Sequence, residues 1–234
     1  HILLEKNGAK IDDYDVVIRL KWLPMKGFNT FKDSVGDETH VVYSSAKNNK
    51  SDFEVLVQAG VKHTRHPLSE NRTFNCVSAT FYTAEEYAFI LEEYAKENGH
   101  ADNRLQNINS KKTGYNIWPQ LGFNAIMDTM ASDAKEIYIT GFTMYHGGGH
   151  MLQKNKPVSH NKTIVEKHNG LLEILMLNDV LSGIDQNSKK IILDSTLSKI
   201  LNAYKSEKLK NTNSDYTSVM IELADEINNL VKDL

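Results

Sequence analysis

Short apolar runs that are continuous rather than alternating constrain the fold of this chain most. The runs are residues 15–20, Val41–Tyr43, residues 135–141 and Lys190–Leu193. Strands that are apolar on both faces are typical of a parallel sheet covered by helices on each side. We therefore expect a mostly parallel sheet, with residues 16–20 and 137–140 as its central strands.

Stretches with helical periodicity separate these runs. Residues 83–98 open with Thr-Ala-Glu-Glu, which resembles a capping box, and residues 122–134 and 170–181 are two further predicted helices. Strands that alternate with helices predict an α/β fold with helices flanking the sheet. We expect one domain over residues 1–204, long enough to be a catalytic domain, followed by a polar loop and a helix over residues 205–234.

The predicted C-terminal helix carries a single apolar stripe. Its members are Met220, Leu223, Ile227, Leu230, Val231 and Leu234. This stripe predicts docking on the helix's own domain, and the alternatives are an oligomer contact or peripheral association with a membrane. The opposite face is acidic, which argues against binding to anionic lipid.

Composition excludes several classes of partner. The 27 Lys and Arg residues against 30 Asp and Glu residues give a net charge of −3. The sequence has no stripe of basic residues that would indicate binding to nucleic acid. No apolar stretch reaches the roughly 18 residues that a membrane-spanning helix needs. The single cysteine, Cys76, cannot form an internal disulfide or a cysteine-based zinc site, so we expect a reducing compartment such as the cytoplasm.

The segments from residue 119 to residue 149 hold features that could bind a ligand. Residues 119–122 (Pro-Gln-Leu-Gly) precede a predicted helix, whose free N–H groups could hold an anion such as phosphate. Gly141 and Phe142 follow a predicted strand, and ligands of open α/β sheets bind at the carboxyl ends of strands. Tyr145 then opens a loop with three successive glycines, which is either a ligand-binding or lid segment or an ordinary surface loop.

Histidines follow this loop. His160 and His168 flank a predicted helix start, and Glu173 lies five residues after His168. A histidine can act as a general base near neutral pH, and a carboxylate can orient it or raise its basicity. The alternative is that these histidines are structural or solvated, as isolated histidines commonly are.

Taken together, these segments resemble the ordered sialylmotifs of the sialyltransferases in glycosyltransferase family 29. Residues 11–20 (IDDYDVVIRL) resemble the core of the large motif, and residues 27–28, 33–40 and 42–43 resemble its second half. Residues 119–142 resemble the small motif, residues 150–153 (HMLQ) the third motif, and His168-x4-Glu173 the very small motif. The resemblance covers residues 11 to 175 in the family's order.

This resemblance implies a GT-A-like, Rossmann-type domain that transfers sialic acid or a related nonulosonic acid from a CMP-sugar to a glycan or glycolipid. It implies no cofactor and no metal. It implies His168 with Glu173 as the general base, His160 as the runner-up, and His150 at the leaving phosphate. The donor-binding residues that it implies are Arg19, Lys21, Pro119, Gln120, Gly122, Gly141, Phe142 and Tyr145.

The sequence also departs from the family at specific positions. Lys21 stands where the family has Asn, and Gln120 stands where it has Ser or Thr beside the proline. The cysteines that link two motifs in Golgi members are missing, which indicates a bacterial, algal or viral type. Alternatives are a Kdo transferase that uses CMP-Kdo, or a nucleotide-sugar-binding module without catalysis.

The resemblance also bears on the start of the chain. The family's first strand and its nucleotide-gripping turn would precede His1, so we expect a longer polypeptide. Residues 1–8 then predict a short helix that ends at Gly8 and directs its N-terminus at the CMP phosphate.

Overall fold

The computed structural model describes residues 5–20, 31–43, 63–65, 84–98, 119–144 and 170–204. The chain divides into two compact units. The first contains residues 1–84 and 121–134, and the second contains residues 85–120 and 135–234. The predicted C-terminal helix and its loop lie outside the described residues.

The first unit is a parallel sheet with short helices. Its elements are α1 (Gly8–Asp12), β1 (Ile18–Leu20), α2 (Lys32–Val35), β2 (Val41–Tyr43), β3 (His63–Arg65) and α4 (Leu121–Met130). The strands lie in the order β1-β2-β3, and both pairs are parallel. The register of the sheet places Val41, the first residue of β2, opposite Ile18 of β1 on one side and His63 of β3 on the other.

The core of the first unit lies around β2. Val41, Tyr43 and Ala125 are buried together, and partly buried apolar side chains pack around them. All three residues of β2 are buried, whereas those of β1 are only half-buried. In the described part of the sheet β2 is therefore the middle strand, and the prediction of residues 16–20 as a central strand is wrong there.

The second unit contains α3 (Ala84–Glu97, apart from its first residue), β4 (Glu136–Ile139), α5 (Gly170–Gly183), β5 (Lys190–Leu193) and α6 (Ser195–Ala203). Strands β4 and β5 pair in parallel, from Glu136 opposite Lys190 to Ile139 opposite Leu193. Ile174 and Leu177 of α5 and Leu197 and Ile200 of α6 are fully buried. This packing accounts for the apolar side chains that both helices carry.

The first helix differs from the prediction. Glu5, Lys6 and Asn7 are not helical, and Gly8 begins α1 instead of ending a helix. A Cβ at Gly8 would overlap the Lys32 carbonyl oxygen and lie 2.8 Å from that of Asp33. The glycine thus serves the close approach of α1 to α2, which sequence spacing alone does not reveal.

These observations confirm a mixed α/β fold in which short parallel sheets are flanked by helices. The strands predicted at Val41–Tyr43 and Lys190–Leu193 are confirmed at both ends. The predicted helices over residues 83–98 and 170–181 correspond to α3 and α5.

Candidate functional site

Glu173 lies in the first turn of α5 and is completely buried. Its Oε1 accepts a hydrogen bond of 2.7 Å from the backbone N–H of Gln120. Its Oε2 has no hydrogen-bond partner in the part of the chain that the structure describes. A buried carboxyl group with one bonded and one unbonded oxygen is an unusual and costly arrangement.

Burial determines the protonation of this side chain. The loss of hydration raises the pKa of Glu173 well above its usual value, and the hydrogen bond from Gln120 opposes that rise only in part. The raised pKa favours a neutral carboxylic acid, whose O–H is a hydrogen-bond donor. In that form Glu173 can hold and orient neighbouring groups, but it is not a proton acceptor.

The Gln120–Glu173 hydrogen bond joins two segments that were predicted as parts of one site. The two residues are 53 positions apart in the sequence. Pro119 and Gln120 are both buried, and they directly precede α4 in the chain. Gly122, also predicted to bind the donor, lies in the first turn of that helix and is half-buried.

A second arrangement lies at the carboxyl end of β4. Gly141 is exposed and has φ +77°, and Met144 three residues later has φ +47°. A positive φ is ordinary for glycine but costly for Met144, and strained conformations of that kind concentrate at sites of function. Phe142, between them, is half-buried.

Asp194 holds this strand end. Its Oδ2 accepts hydrogen bonds from the Gly141 N–H (2.7 Å) and the Thr140 hydroxyl (3.0 Å). Its Oδ1 accepts from the Leu197 N–H (2.7 Å) and so caps the N-terminus of α6. The sequence predictions missed Asp194, although Asp-Ser-Thr directly after an apolar run is a typical start of a helix.

Arg19 was predicted to bind the donor, and the structure shows its contacts within the first unit. Its Nε donates to the Thr39 hydroxyl (2.8 Å) and the Glu38 carbonyl (3.0 Å). Its Nη2 donates to the carbonyls of Val35 and Glu38, both at 2.8 Å. These bonds brace the turn between α2 and β2, and the donor-binding role of Arg19 stays a prediction.

Asp12 also binds this turn. Its carboxylate accepts hydrogen bonds from the N–H groups of Asp37 and Glu38 at 2.8–2.9 Å. Burial lowers the pKa of Arg19, and the charges of Asp12, Asp37 and Glu38 oppose that effect. Asp12 is a second residue that sequence reasoning missed, because its partners are 25 and 26 positions away.

The remaining predicted site residues are Lys21, Tyr145, His150, His160 and His168, and they lie outside the described residues. Within the described ranges, no three His, Cys, Asp or Glu side chains cluster as a metal site would require. None of the helices over these same ranges is long and apolar enough to cross a membrane. Comparisons with family models, curated proteins and solved structures found no match for this chain.

Proposed function

We propose that the protein is an inverting glycosyltransferase that transfers sialic acid, or a related nonulosonic acid, from a CMP-sugar to a glycan hydroxyl. The hydrogen bond between Gln120 and Glu173 carries this proposal. The resemblance assigns Gln120 to the donor and Glu173 to the motif of the catalytic base. Residues of these two motifs are 53 positions apart in the sequence and meet in the structure, as parts of one site would.

The carboxyl end of β4 adds support. The resemblance assigns Gly141 and Phe142 to the donor, and Gly141 has a positive φ that few other residues adopt. Short parallel strands with flanking helices agree with the Rossmann-type, GT-A-like domain that belongs to this proposal. Ligands of such sheets bind at the carboxyl ends of the strands.

The reaction assigns a role to each residue. His168 takes the proton of the acceptor hydroxyl, whose oxygen attacks the anomeric carbon from the face opposite to CMP. The bond between the anomeric carbon and the phosphate oxygen breaks, and CMP leaves with that electron pair. His150 and Tyr145 stabilise the departing phosphate. His160 is the alternative base.

Glu173 has a positioning role in this scheme. Because its raised pKa favours the neutral acid, it holds the Gln120 segment through Oε1 and offers an O–H from Oε2. A neutral amide of the same shape reproduces both interactions. An apolar side chain reproduces neither and leaves the Gln120 N–H without its acceptor.

The test measures CMP release from CMP-sialic acid in the presence of glycan acceptors. We expect turnover by the wild type, activity within about fivefold of it for Glu173→Gln, and a loss of about 100-fold for Glu173→Leu. His168→Ala should lose most transfer but still bind CMP. Asp179→Asn is the matched control on α5, where the exposed carboxylate accepts from the Tyr94 hydroxyl, and it should leave turnover unchanged.

Each contrary result has a defined meaning. Faster turnover of CMP-Kdo than of CMP-sialic acid would show that the donor sugar is Kdo. Binding of CMP with no hydrolysis or transfer would show that the protein is a nucleotide-sugar-binding module and not an enzyme. A wild type that neither binds CMP nor uses either donor overturns the proposal.

A further inference from the structure

The Asp194 carboxylate uses its two oxygens on two different elements. Oδ1 caps α6 through the Leu197 N–H, and Oδ2 accepts from Gly141 and Thr140 at the end of β4. Ser, Thr or Asn would be as good a helix cap, but none has a second acceptor oxygen for the strand end. The bonds to Gly141 and Thr140 therefore account for an aspartate at this position.

Asp194 is itself well fixed. It is 4% exposed, and its own backbone N–H donates to the Ile139 carbonyl at 3.1 Å. The residue thus directly follows β5, which pairs in register with β4. A rigid, buried acceptor faces the backbone of the exposed Gly141.

We propose that Asp194 is a positioning residue for donor binding, which holds the Gly141 backbone in the conformation that the CMP-sugar meets. The inference rests on the proposed function, because that proposal assigns Gly141 and Phe142 to the donor. Asp194 reaches the donor only through the strand end.

The physical reason is the freedom of glycine. Glycine populates positive and negative φ almost equally, so an unrestrained Gly141 would occupy several conformations. A hydrogen bond from its N–H to a buried carboxylate selects one of them before the donor arrives. Binding then costs less conformational entropy. Removal of the bond should weaken donor binding and leave the chemical step nearly unchanged.

The deciding variant is Asp194→Ser, which keeps a helix-capping hydroxyl but loses the second oxygen. Asp185→Ser is the matched control, because the Asp185 carboxylate also accepts a backbone N–H, that of Asn187 at 3.0 Å, in an exposed turn of the same unit. The readouts are KM and kcat for CMP-sialic acid, the Kd of CMP by calorimetry, and hydrogen exchange of the amides at residues 140–144.

For Asp194→Ser we expect KM and Kd to rise about tenfold, kcat to stay within about threefold, and the Gly141 amide to exchange faster. Asp185→Ser should match the wild type in all of these. If Asp194→Ser does not fold, Thr140→Val removes one of the two bonds to Oδ2 and keeps the cap. It should raise KM about twofold.

The two proposals fail differently. A wild type that neither binds CMP nor turns over the donor overturns the proposed function and this inference with it. A wild type that binds CMP, together with a folded Asp194→Ser of unchanged KM and Kd, overturns this inference alone. If Asp194→Ser does not fold and Thr140→Val is measured in its place, an unchanged KM in Thr140→Val also overturns this inference alone.

Discussion

Two turns of this molecule depend on an aspartate that accepts backbone N–H groups, but their surroundings differ. In the first unit, half-buried Asp12 binds the turn before β2, which Arg19 also braces and in which Gly36 has φ +73°. In the second unit, buried Asp194 binds the end of β4 at Gly141 through uncharged donors. Both turns contain a glycine of positive φ, but the first has charged partners around a half-buried carboxylate, whereas the second is held by a buried carboxylate through uncharged donors.

The difference teaches what each turn should be sensitive to. A half-buried turn tolerates changes of charge but not changes of backbone geometry, because water can replace lost polar partners. A buried carboxyl group depends on the number of its hydrogen bonds, since burial penalises its charge. Glu173 gives the limiting case, with a single donor and a raised pKa.

The largest expected effect concerns the backbone of the first turn. Gly36 has φ +73° and ψ 179°, a region that is almost restricted to glycine. A Cβ there would overlap the Asp12 carboxylate and lie 2.9 Å from the Gly8 carbonyl oxygen. Gly36→Ala should therefore lower the free energy of unfolding by about 3 kcal/mol, measured by urea denaturation.

Gly183 provides the matched control for this substitution. It ends α5, and nothing lies within 4 Å of the position that its Cβ would take. Gly183→Ala should leave the free energy of unfolding unchanged or raise it by up to about 1 kcal/mol. Equal destabilisation by the two substitutions would contradict the role given to the turn geometry.

The second effect is the pH dependence that Glu173 produces. Burial raises its pKa in the folded state, so above pH 4.5 the folded chain keeps a proton that the unfolded chain releases. The free energy of unfolding should therefore fall as the pH rises above 4.5, by at most about 1.4 kcal/mol per pH unit, until the folded state also loses the proton.

Glu173→Gln isolates this contribution, because the amide cannot titrate. Its stability should be close to that of the wild type at pH 5 and greater at pH 8, as urea denaturation at each pH would show. Asp185→Asn, which changes an exposed carboxylate, should keep the slope of the wild type. A wild type that gains stability from pH 5 to pH 8 relative to Glu173→Gln would reverse the sign and contradict the neutral acid.

A smaller effect is expected for Arg19→Lys. The lysine keeps the charge but cannot reproduce hydrogen bonds from Nε and Nη2 to three different residues. The free energy of unfolding should fall by about 1 kcal/mol. The loss should be the same in 0.1 M and 1 M NaCl, because the charge is unchanged. A loss that disappears in high salt would show that Arg19 acts through its charge instead.

Part of the fold could be predicted because continuous apolar runs mark buried strands. The start of β1 at Ile18 could not be predicted, because the Val17 N–H donates to His40 Nδ1 and not to a backbone carbonyl of a neighbouring strand. The predicted helix over residues 122–134 ends earlier, at Met130, where the Ser132 hydroxyl bonds the Thr129 carbonyl. The first limit depends on a side-chain bond between residues 23 positions apart and the second on a local one, and periodicity encodes neither.

The same reasoning applies to the candidate site. Glu173 and Gly141 could be found from the sequence because each stands next to a recognisable element. The contact of Asp194 with Gly141 could not, since it spans 53 residues and depends on the register of β4 against β5. The raised pKa of Glu173 was equally hidden, because it follows from burial rather than from neighbours in the chain.

The smallest effect should come from an exposed ion pair in the same sheet as Asp194. Lys190 Nζ lies 2.8 Å from Glu136 Oε2, and the two side chains are 63% and 41% exposed. Water screens such a pair, so Lys190→Met, which keeps the aliphatic stem, should lower the free energy of unfolding by less than about 0.5 kcal/mol. Urea denaturation in 0.1 M and 1 M NaCl would check this, with the difference vanishing at high salt. A loss above about 1 kcal/mol that persists in 1 M NaCl would contradict the screening of this pair by water.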